Sequence, residues 1–159
     1  MKNFIVCILI TIFSSYVLAG EDTPPRAKSC TDIKTLPLGD GKKIAFHGSV
    51  LRYTQECWYL PLKKGKQLHV EISDNEHSAA IAIYQPGFNI KYGSGDLSFL
   101  SDSDINPSNT YDGITIKEAP ADGEAREVNS KVKKTGNYLM VIGLSKGAGS
   151  DFSGFVQMK

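Results

Sequence analysis

Three histidines, two cysteines and one acidic loop are the groups in this chain whose chemistry could be catalytic or metal-binding, and their spacing argues against both roles. His47, His69 and His77 have no histidine or acidic partner four residues on, and neither His-Glu-x-x-His nor Cys-x-x-Cys occurs, so these zinc-binding spacings are missing. Asp102, Asp104 and Asn106 match the first three oxygen-ligand positions of a calcium loop, a sensible arrangement for a cation that prefers several carboxylate and carbonyl oxygens. Pro107 then stands where the EF-hand turn requires glycine, and Gly113 occupies the place of the closing glutamate. An EF-hand is excluded, leaving a solvated acidic loop or, as the lesser alternative, a looser calcium site. Gly93-Ser94-Gly95 and Gly147-Ala148-Gly149 have the look of phosphate loops, yet neither opens a helix whose N-terminus would receive the anion, and both read as turns. The expectation is a non-enzymatic protein with no catalytic residues, no metal site and no cofactor. Were it an enzyme, its site would have to be assembled from His69, Glu71 or the Asp102 loop.

Recognition is the other chemistry open to these residues. Tyr53, Trp58 and Tyr59 form the densest aromatic group, and exposed aromatic rings serve both protein and sugar recognition. Strand alternation sends Trp58 or Tyr59 inward, so Tyr53, set between Arg52 and Thr54 in a polar turn, is the surface candidate.

The chain has 159 residues and opens with the pattern of a secretory signal peptide. Lys2 is followed by an apolar run from Phe4 to Phe13, then Ser14-Ser15 and the small-residue end Val17-Leu18-Ala19. The run is broken by Thr11, Ser14 and Ser15 well before the roughly 20 apolar residues that a membrane-spanning helix needs. Leu18-Ala19-Gly20 is followed by Glu21, where a lipoprotein box requires cysteine. The expectation is cleavage after residue 19, no membrane anchor in the mature form, and a periplasmic or secreted location. Of 18 basic residues only Lys2 leaves with the signal, so basic and acidic groups balance at 17 each. That balance gives no support to nucleic-acid or membrane-surface binding. Cys7 also leaves, and in an oxidising compartment Cys30 and Cys57 permit a single disulfide. Such a bridge would tie the N-terminal segment to the aromatic strand, and in the chain-entropy model it stabilises the fold by about 3 kcal/mol.

Residues 20–41 read as an extended, proline-bearing leader, and a regular domain is expected over 42–159. Ile44, Phe46, Gly48 and Val50 alternate into a strand. From Gly48 to Ile72 two alternating stretches flank Lys63-Lys64-Gly65, which predicts an antiparallel hairpin. Ala80 to Tyr84 form a short buried strand ended by Pro86-Gly87, and residues 93–129 are loop-rich with short strands inside them. Tyr138, Met140 and Ile142 alternate after the Thr135-Gly136 turn, and Phe152 to Met158 form the last strand. The small residues from Ser145 to Asp151 predict a second hairpin between these two. Many short strands with turn signals between them and no sustained helical period make this an all-β chain: an antiparallel β-sandwich, jelly-roll-like, in a single domain.

Read in order, Gly48 with Tyr53 and an aromatic before Leu60, Lys63-Lys64-Gly65, His69-Val70, Pro86-Gly87, Thr135-Gly136-x-Tyr138 and Gln157-Met158-Lys159 resemble the bacterial periplasmic inhibitors of g-type lysozyme. More distantly they resemble the bacterial pre-peptidase C-terminal domain. The first resemblance implies a protein partner, a lysozyme or other muramidase, blocked by surface loops that enter its substrate cleft. Tyr53 in the first turn and the position of the last loop carry over, which makes Arg52, Tyr53, Lys146 and Asp151 the candidate partner-binding residues. The alternatives are a carbohydrate- or peptidoglycan-binding module and a periplasmic immunity protein against an envelope-targeted toxin. The oligomeric state is not legible in the sequence.

Overall fold

The structure, a computed structural model, describes Cys30, 33–93 and 108–159. The expected signal peptide and the Asp102–Asn106 loop lie outside the described residues. Among the described residues ten strands run in chain order: β1 (Lys34–Thr35), β2 (Lys43–Leu51), β3 (Glu56–Leu62), β4 (Gln67–Asp74), β5 (Ala79–Tyr84), β6 (Asn89–Lys91), β7 (Thr110–Asp112), β8 (Glu127–Lys131), β9 (Gly136–Leu144) and β10 (Gly149–Met158). They make a four-stranded sheet in the order β1-β3-β9-β5, a second in the order β2-β10-β4-β8, and a two-stranded ribbon of β6 and β7. Every pairing is antiparallel except β1 with β3. The fold is the expected all-β sandwich.

Alternation explains how the two sheets meet. Trp58, Leu60 and Leu62 on β3 and Tyr138, Met140 and Ile142 on β9 face Phe46 and Val50 on β2, Leu68, Val70 and Ile72 on β4, and Phe152, Val156 and Met158 on β10, all in one buried cluster. Phe46, Trp58 and Phe152 pack ring to ring at centroid distances of 5.2, 6.3 and 6.2 Å, within the range in which aromatic pairs attract beyond their area of burial. Leu36 and Leu38, from the extended stretch before β2, close one side of this core.

Both expected hairpins are absent, and for one reason. β3 belongs to the first sheet and β4 to the second, so Lys63-Lys64-Gly65 is a corner between sheets. Locally it is the tight turn the sequence suggests, with the Lys66 N–H donating to Lys63 O at 3.2 Å and Gly65 at φ 87°. Its flanks, however, bond to the neighbouring corner: Gly65 N–H to Val132 O and Val132 N–H to Lys66 O, both at 2.8 Å. The β9–β10 connection crosses between sheets in the same way, and β10 inserts between β2 and β4. Period-two alternation shows that a strand buries one face; it is equally satisfied by a neighbour in the same sheet or by one across the core.

The free edge of β5 is covered by the segment after β7. Ile81, Ile83 and Gln85 N–H groups donate to Ala125, Ala119 and Ile114 carbonyls at 2.7–3.1 Å, which leaves no open ladder for another chain to extend. Arg126, on the same segment, reaches the fully buried carboxylate of Asp74 at the β4–β5 corner and donates to Ala79 O at 2.9 Å. Asp74 Oδ2 also accepts from Ser78 N–H and Ser150 Oγ, each at 2.7 Å, and from Ala79 N–H at 3.2 Å. Burial alone raises the carboxyl's pKa, but the Ser150, Ser78, Ala79 and Arg126 donors outweigh it and hold the group far below the usual carboxylate range.

Two outcomes are expected. Because the folded-state pKa of Asp74 is depressed, its contribution is complete above the ordinary value of 3.8 and is lost as pH falls below it. Urea midpoints should therefore drop on acidification below about pH 4, with a shallower drop in Asp74→Asn. At Gly154, between Phe46 and Ile72 in the register, an added Cβ would come within 2.3 Å of Glu71 O and 2.8 Å of Phe46 Cζ. Gly154→Ala should cost about 1–3 kcal/mol, measured by denaturant unfolding.

Candidate functional site

The β2–β3 turn and the β9–β10 connection come together because β10 pairs with β2 up to Gly149 opposite Leu51. The Arg52 N–H donates to Ala148 O at 2.9 Å, and the guanidinium reaches Gly147 O at 3.4 Å. The turn is locked from inside by buried Thr54. Its Oγ1 accepts from Leu51 N–H at 2.7 Å and donates to Leu51 O at 3.0 Å, while its own N–H donates to Leu51 O at 2.9 Å. Tyr53 is carried at φ 69° and is 42% exposed. That left-handed conformation costs a non-glycine residue about 1–3 kcal/mol and persists only where the surroundings hold it. Here the turn bonds and Ser108 Oγ, which donates to Tyr53 O at 3.0 Å, do so.

Behind these loops lies the outer face of the first sheet, which is also largely buried. Tyr84, Leu139 and Val141 form a second apolar cluster with the disulfide-bonded Cys30 and Cys57, packed against Ile33, Tyr59, Phe88, Ile90 and Tyr111. The β6–β7 ribbon thus sits on one half of this face. Its anchor is Tyr111, whose hydroxyl lies 3.1 Å from Cys30 Sγ, 3.5 Å from Cys57 Sγ and 3.3 Å from Gln55 Oε1, to which it donates. Burial pushes the Tyr111 phenol up to about 12, with the nearby Asn109 amide pulling the other way. Tyr84, 5.6 Å from it ring to ring, is raised by burial and then by Asp112. Both phenols stay neutral donors through the physiological range.

The uncovered half of the face is the floor of a cleft of 560 Å³. Ala80, Ala82 and Gly143 keep its floor low; Tyr84 and Tyr111 stand at one wall, and Arg52, Tyr53 and Lys146 line its loop side. Asn109, only 4% exposed, also lines it. Its Oδ1 accepts from Gly93 N–H at 3.1 Å, and its Nδ2 has no hydrogen-bond partner among the described residues.

Three of the four candidate residues therefore meet at one cleft. Asp151 does not join them. It lies in β10 opposite Ser49 and borders a separate hollow with Lys34, His47, Glu56 and Trp58. His47 is exposed on β2, while His69 stands on the solvent side of β4 with Nε2 3.5 Å from Glu127 and its ring edge-on to Phe155. Among the described residues no group of three or more His, Cys, Asp or Glu side chains converges as a metal site would need. The cleft floor was not recognised in the sequence, although Ala80 and Ala82 alternate with Ile81 and Ile83 and mark the small-residue face of β5.

No protein-family model matches the chain, and no curated protein matches it. Solved structures do. The periplasmic inhibitor of g-type lysozyme PliG from Aeromonas hydrophila superposes at TM-score 0.49 with 14% identity, over 80% of this chain and 97% of that one. Salmonella Typhimurium PliG gives 0.49 with 18% identity over 81% and 100%. A mutant of Escherichia coli PliG gives 0.50 with 16% identity over 79% and 96%, and that superposition shows a shared fold.

Proposed function

We propose that this chain is an exported, non-enzymatic inhibitor of a muramidase of the g-type lysozyme class, acting in the periplasm. The observation that carries the reading is the meeting of the Arg52-Tyr53 turn and the Lys146 loop at one end of a sandwich whose fold is shared with Escherichia coli PliG. An inhibitor needs a rigid projection at the end of a stable scaffold, so that little freedom is lost on binding. The Thr54 bonds and the Arg52 contacts with Gly147 and Ala148 supply that rigidity. Tyr53 is the exposed aromatic anchor, and Arg52 and Lys146 are cations suited to carboxylates in a substrate cleft.

The test is cell-wall lysis by goose-type lysozyme in the presence of the oxidised protein. Lysis should fall in a saturable, stoichiometric manner, and unchanged lysis at large molar excess would sink the reading. Arg52→Ala, Tyr53→Ala and Lys146→Ala should each weaken inhibition by about 1–2 kcal/mol of binding free energy. Asp151→Ala separates a contact confined to the cleft end from one that spreads over the β2–β10 edge.

A further inference from the structure

We propose that the cleft on the outer face of β5 and β9 binds a small carboxylate-bearing saccharide, a function beyond muramidase inhibition. Charge is the first ground. Among the described residues, the charged side chains lining this cleft are Arg52 and Lys146, with no aspartate or glutamate. Guanidinium and ammonium groups only donate hydrogen bonds, and a carboxylate is the matching acceptor.

The second ground is Asn109. A buried amide N–H left without an acceptor is destabilising. Its Nδ2 turns toward the Tyr111 hydroxyl but makes no hydrogen bond of full geometry among the described residues, while its Oδ1 is held by Gly93. An oxygen of a bound ligand would satisfy it. The third ground is shape. Ala80, Ala82 and Gly143 present a flat apolar floor beside the Tyr84 and Tyr111 rings, a surface suited to the C–H face of a sugar ring. Gln55 and Ser145 line the same cleft as neutral polar groups for ring hydroxyls. The 560 Å³ volume falls within the span of about 300–1,000 Å³ typical of small-molecule sites. The cleft opens beside Arg52 and Tyr53, so a bound saccharide and a protein seated on those loops would exclude one another.

The experiment is an amide NMR titration of the oxidised protein with glucuronate, set against glucose, which has a hydroxymethyl group in place of the carboxylate, and acetate, which has no ring. Glucuronate should bind at least about tenfold more tightly than either, and Arg52→Ala and Lys146→Ala should each weaken it by about tenfold. Shifts should concentrate at Asn109, Gly143 and Gly147. Asn109→Asp, which replaces the donor by an acceptor of like charge to the ligand, should abolish binding. Equal binding of glucose overturns the carboxylate's role, and equal binding of acetate overturns the saccharide's. No shift with any of the three, or unchanged binding by the folded variants, overturns the site. Lysozyme is absent from this titration, so its outcome and that of the lysis assay are read separately.

Discussion

The insertion of β10 between β2 and β4 is the constraint on which the rest of the molecule depends. The last strand pairs with β2 from Gly149 opposite Leu51 to Gln157 opposite Lys43, and with β4 from Phe152 opposite Asp74 to Met158 opposite Leu68. One strand therefore sets the register of two others that lie far apart in sequence. A slip of one residue would turn Phe152, Val156 and Met158 to solvent and bring Ser153, Phe155 and Gln157 into the core. Gly154 is the tolerance on this arrangement, since the backbone of β4 and the Phe46 ring occupy the space a side chain would need. The same register seats Ser150 on the Asp74 carboxylate and the Gly147-Ala148 backbone on Arg52. Core, buried ion pair and candidate site are thus consequences of one alignment.

The two faces of the first sheet are used differently. Its inner face completes the sandwich core, while its outer face is divided between a covered half and an open half. The covered half explains why β9 is buried from Tyr138 through Ile142 and does not alternate. Tyr138, Met140 and Ile142 face the second sheet; Leu139 and Val141 lie beneath the ribbon, Tyr111 and the disulfide. In the open half, the methyl groups of Ala80 and Ala82 and the bare backbone of Gly143 keep the floor low, so the surrounding turns stand above it as walls. The disulfide and Tyr111 join the two halves, because Tyr111 is at once the lid of the second apolar cluster and a wall of the cleft.

Much of this was legible residue by residue. The strands over Ile44–Val50 and Tyr138–Ile142 follow from alternation and that over Ala80–Tyr84 from a short apolar run ended by Pro86-Gly87, and the disulfide joins Cys30 to Cys57, the pair expected once Cys7 is set aside with the signal. Tyr53 follows from its polar neighbours and stands exposed. The absence of the two expected hairpins is not legible in the sequence because Leu60 and Leu62 on one side of a turn and Leu68 and Val70 on the other look alike whether they share a face or oppose each other across a core. Asp151 follows the last loop in sequence, but it stands in the strand that begins at Gly149 and borders a hollow separate from the cleft.

The sequence by itself determined the class of the protein: which segments extend, which face of each is apolar, which turns reverse the chain, and that no familiar catalytic or zinc spacing is present. These are local properties, set by side-chain period and backbone preference, and they survive in any arrangement of the strands. Only the tertiary structure decided which strands share a sheet, because burial in the core contributes free energy in proportion to apolar area without regard to which partner covers it. It also decided the site. Arg52 and Lys146 are separated by most of the chain and become neighbours only when β10 closes against β2. Asn109, Ala80, Ala82 and Gly143 acquire a shared meaning only as the lining of one concave face.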